Sequence, residues 1–165
     1  MPQPTFRINF VTGASRRHMP EIEALSALPD RVAALFAGQP AAWARQAPEG
    51  EWNPVRVLGH LVAYAQVSRE NLDRMSHMTD PIIKRVDDEG ENERHHWESQ
   101  SADRLLDGLA EAIGKSVALL TELPDASWGR PGQHPEDGRR SIRQQAFAMA
   151  AHFREHIAQI EALRA

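Results

Sequence analysis

The 165-residue chain contains no cysteine. That excludes disulfides, thiolate metal ligands and a cysteine nucleophile, so any metal has to be held by histidine and carboxylate. A reducing compartment is compatible with this composition. No stretch approaches the ~18 consecutive apolar residues of a membrane-spanning helix. The first twenty residues, MPQPTFRINFVTGASRRHMP, lack the apolar h-region of a signal peptide. Clustered basic charge is missing too: the formal net charge is -4, and Arg16–Arg17 and Arg139–Arg140 are isolated pairs. Nucleic acid is therefore a poor candidate for the main partner, since phosphate binding needs a concentrated basic surface. No segment alternates cleanly enough to be a strand, and there is no internal repeat. The expectation is a cytoplasmic, single-domain protein spanning 1–165, with no membrane or nucleic-acid partner.

What is present is helical periodicity. Residues 1–18 read as an extended arm. From Pro20, apolar residues recur at spacings of three and four through Ile22, Leu25, Leu28, Val32, Leu35 and Phe36, and Gly38 with Pro40 closes the segment. Pro29 predicts a kink or a split in this first helix. Asn53-Pro54 is a strong start for the second, which runs through Val57, His60, Leu61, Tyr64, Val67 and Leu72 to about Met75. A long connection over 77–98 follows, carrying Asp80-Pro81 and the acidic run Asp87–Glu93. Ser101 opens the third helix and Pro124 ends it. A Gly/Pro-rich link over 128–138 leads to the fourth, capped by Ser141 and carrying Ile142, Phe147, Met149, Phe153, Ile157 and Ile160. The fold class is all-α: an antiparallel four-helix bundle with a long connection between helices 2 and 3.

Of the eight histidines, His18, His77, His95, His96 and His134 fall in loops or at helix ends, where a solvated side chain is the plain reading. His152 and His156 lie four apart on one helix face, so two imidazoles can reach one ion. Alone, the pair is a common coincidence. It gains weight from the largely polar stripe it belongs to (Gln145, Met149, His152, His156, Gln159), which borders the core and needs partners. It gains more from His60, set in the apolar run Val57-Leu58-Gly59-His60-Leu61, where Gly59 admits close approach of another element or a ligand. Three imidazoles from two helices would form an open site for one divalent transition metal. All-nitrogen ligation suits Zn, Ni, Fe or Cu and not Mg or Ca, with Zn or Ni the expectation.

Three stretches then carry a family resemblance. Trp52-Asn53-Pro54 precedes Val57-Leu58-Gly59-His60-Leu61. Gly132-Gln133-His134-Pro135 precedes Gly138. The last is His152-Phe153-Arg154-Glu155-His156-Ile157-Ala158-Gln159-Ile160. In this order the chain, from about Glu21 to Leu163, resembles the DinB/YfiT-like superfamily. The resemblance implies a four-helix bundle, often a homodimer, with a metal on His60, His152 and His156. It implies an enzyme of small molecules, either a thiol S-transferase using a low-molecular-weight thiol cosubstrate or a metal-dependent hydrolase. One departure stands out: many members carry an acid one turn after the helix 2 histidine, and this chain has Ala63. An acid to hold a ligating histidine, or to act as a base, is therefore expected to be missing.

The first functional expectation is thiol S-transfer, in which a metal-held thiol is ionised near neutrality. Glu155 and Tyr64 are the candidate catalytic groups and Gln159 a candidate cofactor-binding group. The second is hydrolysis. His152-Phe153-Arg154-Glu155-His156 also matches the H-x-x-E-H pattern, but only nine residues follow His156, too few for that motif's downstream third ligand. The third is a non-catalytic bundle that binds metal or ligand. Trp43, Trp52, Trp97 and Trp128 read as packing anchors before they read as pocket walls.

Overall fold

The computed structural model describes residues 13–164. Positions 1–12 of the expected arm lie outside the described residues. Its remainder is not wholly extended: Arg16–His18 form a 3-10 turn, and the Ala14 N–H donates to the Thr121 carbonyl at 2.8 Å.

The first helical segment is split, as Pro29 requires. Helix α1 (Met19–Ser26) and helix α2 (Leu28–Phe36) meet at Ala27. Proline 29 has no N–H to give to the carbonyl four residues back, and its ring crowds that turn. Helix α3 (Pro54–His77) starts where the Asn53 side chain accepts the Arg56 N–H at 2.9 Å. Helix α5 (Ala102–Glu122) is capped by Ser101, and helix α6 (Ile142–Ala162) by Ser141. At α6 the cap is reciprocal, because Gln144 Oε1 also accepts the Ser141 N–H at 2.9 Å. Helix α3 lies against α5 and α6, and the α1–α2 pair closes the other side of both. Leu58, Leu61, Leu72, Leu109, Ile113, Leu120, Phe153 and Ile160 fill the space between them. This is the expected four-helix bundle.

Two sequence expectations need correction. The connection over 77–98 is not featureless: it carries helix α4 (Asp88–His95) and a 3-10 turn, Trp97–Ser99. Helix α4, of sequence DEGENERH, has no apolar face and so gives no periodic signal. The 128–138 link contains half of a β-hairpin, β1 (Pro131–His134) paired antiparallel with β2 (Gly138–Ser141). Four-residue strands are too short to display alternation, and Gly138 at φ +76° makes the turn possible. The hairpin is stitched to the long connection, where the Ile83 N–H donates to the Gln133 carbonyl at 2.8 Å. Phe147, an apolar position of the last helix, is 58% exposed.

Gly59 has the role its position suggested. A Cβ there would lie 2.3 Å from Trp97 Cγ, so the absent side chain is what lets the indole seat against α3. Trp97 is in turn buried and pins the end of the connection that carries α4.

Candidate metal centre

Helix α3 brings His60 into the buried interior, and α6 brings His152 and His156 from one turn apart. One ring nitrogen from each of the three lies within 4.8 Å of the others. The Nε2 atoms of His60 and His152 are 2.8 Å apart. His60 is buried, and the other two are partly exposed.

The outer nitrogens fix the tautomers. His60 Nδ1 is 2.5 Å from Asp88 Oδ1, and a carboxylate can only accept, so Nδ1 carries the proton and Nε2 presents its lone pair inward. His156 Nδ1 likewise faces Gln159 Oε1 at 2.8 Å. This pattern, imidazoles whose outer N–H is held by an acceptor, is the usual arrangement behind metal-ligating histidines. Two donors on one tetrahedral zinc, at Zn–N of about 2.0–2.1 Å, stand about 3.4 Å apart. The His60–His152 pair is closer than that value and all three nitrogens lie within 4.8 Å of one another, a spacing of the right scale for one small divalent ion.

Electrostatics point the same way. Burial pushes the His152 pKa down to about 4, helped by repulsion from His156 and His60. Burial also lowers His60, against the opposing pull of Asp88. Both rings are thus neutral near pH 7, the form that ligates.

Asp88 is the functional residue that sequence reasoning missed. Ala63, where the family resemblance led us to expect an acid, is buried in the core. The carboxylate is delivered instead by α4, 28 residues along the chain from His60. Helix α4 is held in place by a second pair, Arg56 with Glu89 at 3.3 Å, and the Arg56 guanidinium lies over Trp52 at 4.8 Å. In the sequence Asp88 is one acid among several in a solvated-looking run, and no local signal separates it.

A cavity of about 440 Å³ opens beside the histidines, within the size range of small-molecule sites. Tyr64 and Glu155 both line it. The Tyr64 ring is centred 4.0 Å from that of His152, and burial raises its phenol pKa. Glu155 is exposed to solvent at the wall. Gln159 stands behind His156 rather than along the cavity. His134, expected to be a solvated loop residue, also lines the cavity and is only 15% exposed. His18 departs furthest from expectation. It is buried, with its ring stacked on Trp128 at 4.0 Å and its Nε2 2.8 Å from Asp125 Oδ1. His77, His95 and His96 are exposed. Trp97 and Trp128 are buried packing residues, while Trp52 lies 5.5 Å from the His60 ring.

A bundle with an inward-facing three-histidine cluster on its second and last long helices defines a class. The family model of the DinB superfamily matches residues 24–160, and the chain belongs to that superfamily. Among solved structures it is similar to YfiT from Bacillus subtilis, described as a probable metal-dependent hydrolase with an unusual four-helix bundle topology. The TM-score is 0.82 at 21% identity, covering 91% of this chain and 87% of YfiT. No curated protein sequence matches it. No helix among the described residues is long and apolar enough to cross a membrane.

Proposed function

We propose that the chain is a metal-dependent enzyme acting on a small molecule, with His60, His152 and His156 as the ligands and thiol S-transfer as the leading reaction. The convergence of three imidazoles, with His60 and His152 lining a cavity, carries this reading. A divalent ion held there would act as a Lewis acid, lowering the pKa of a bound thiol or water. With three protein ligands, a position stays open to the cavity.

The protein's own groups divide the remaining work. Asp88 keeps the His60 proton on Nδ1, and Gln159 does the same for His156. Tyr64, kept protonated by burial, is a hydrogen-bond donor beside His152 for orienting substrate. Glu155 is a carboxylate on the cavity wall, positioned to take up a proton from a nucleophile or return it to a leaving group. The same Glu155 favours hydrolysis as the second reading, in keeping with the description of YfiT. A cytoplasmic homodimer belongs to this proposal.

The test is metal content of untagged protein, for wild type, His60→Ala and His152→Ala. Near-stoichiometric transition metal in wild type, lost from both variants, is the expected result. Metal that survives both substitutions, or cannot be loaded at all, overturns it. Loaded protein offered a small thiol plus an electrophile, and separately a panel of esters and amides, then separates transfer from hydrolysis.

A further inference from the structure

The cavity has a second polar group besides the histidine cluster, contributed by the hairpin and the start of α6. His134, Asp137, Arg140 and Gln145 all line it. Arg140 is on β2, opposite Gly132 in register, and its guanidinium is gripped from two sides. Nη1 donates to Gln145 Oε1 at 3.0 Å, and Nη2 donates to Asp137 Oδ2 at 2.5 Å.

The two partners differ in kind. Gln145 is only 3% exposed, so its amide is a fixed part of the wall that aims the guanidinium. The Asp137 side chain is 61% exposed at the hairpin tip, where an ion pair is readily exchanged for another. A guanidinium held by one buried neutral partner and one exposed carboxylate is a fork prepared for a carboxylate. The other cavity cations are not so prepared. Arg85 pairs with Glu136 and Lys84 with Glu70, all on the surface.

His134 adds a second donor. Its Nδ1 accepts the N–H groups of Glu136 at 3.2 Å and Asp137 at 3.0 Å, so in the neutral ring the proton is on Nε2. Arg140 and Tyr64 line the same cavity, and Tyr64 packs against His152. The two poles therefore belong to one cavity.

We propose that Arg140, aided by His134, anchors a carboxylate of the substrate, and that the Asp137 carboxylate stands where the substrate's carboxylate goes. The substrate class is a small carboxylic acid whose reactive end reaches the three histidines. What happens at that end rests on the function proposed above; the anchor itself does not.

Succinate is the probe, titrated into the full chain after chelator treatment and followed by backbone amide NMR over residues 134–145. Wild type shows saturable shifts there. Arg140→Gln weakens the affinity by about tenfold or more, the scale of a charge-assisted hydrogen bond. Asp137→Asn, which removes the competing carboxylate but keeps the backbone N–H, tightens it by about two- to fivefold. Arg85→Gln leaves it unchanged. The opposite signs for Arg140 and Asp137 matter, because a purely structural ion pair would make both substitutions act alike. Absence of shifts in wild type, equal affinity in Arg140→Gln, or weaker binding in Asp137→Asn overturns the anchor. Since no metal is present in the titration, its result stands apart from the metal-content measurement. Either can fail alone.

Discussion

At the scale of single residues, the decisive pair is His60 with Asp88. A carboxylate on Nδ1 makes the inward nitrogen more basic and holds the ring in its plane. Asp88→Asn keeps an acceptor for the His60 N–H but removes the charge. The expected outcome is a loss of metal affinity of about 10- to 100-fold, the usual cost of an outer-shell substitution. Competition against a chromophoric chelator measures it. An unchanged affinity would reduce Asp88 to a packing contact. The contrast with Ala63 is instructive: the same chemical task is met from another element, so a missing acid in a motif says little about whether the site is complete.

At the scale of elements, delivery of Asp88 depends on how the 77–98 connection is fastened, and Gly59 is its seat. Gly59→Ala would gain about 1 kcal/mol of helix propensity on an exposed face. Here the new methyl overlaps the Trp97 ring, a rigid group that cannot swing away. Overpacking of this kind costs about 1–3 kcal/mol, so net destabilisation is expected in urea titration. A gain in stability would show that Trp97 is free to move. The long helices were legible because their signals are local: Asn53, Ser101 and Ser141 each cap in place, and Pro29 splits the first segment where it stands. Within the site, the three histidines were legible from helical spacing and motif, and so were Tyr64 and Glu155 on the cavity wall. Helix α4 and the hairpin were not, because neither has an apolar periodicity. Each is fixed by contacts remote in sequence, such as Arg56–Glu89 and Ile83–Gln133. His18 was misread for the same reason, since its stacking partner Trp128 comes from a turn far along the chain.

At the scale of the whole molecule, the histidine cluster couples local protonation to global stability. His60 and His152 have folded-state pKa values below the 6.5 of the unfolded chain, and His152 is lowered to about 4. Above pH 6.5 both states leave these rings neutral, and the shift contributes nothing. Between 6.5 and about 4 the unfolded chain binds protons that the folded chain refuses, so stability falls as pH falls through that window. His152→Gln removes one refusing group. The metal-free variant is therefore expected to lose less Tm than metal-free wild type between pH 7 and pH 5. Calorimetry on chelator-treated proteins at both pH values gives the comparison. Equal or larger losses in the variant would mean that His152 accepts its proton without cost in the folded chain, contrary to the desolvation on which its depressed pKa depends. Ligation deepens the same dependence, because protons compete for the lone pairs that hold the ion. Metal-loaded wild type is accordingly expected to be the most stable form at pH 7 and to decline most steeply as the pH drops.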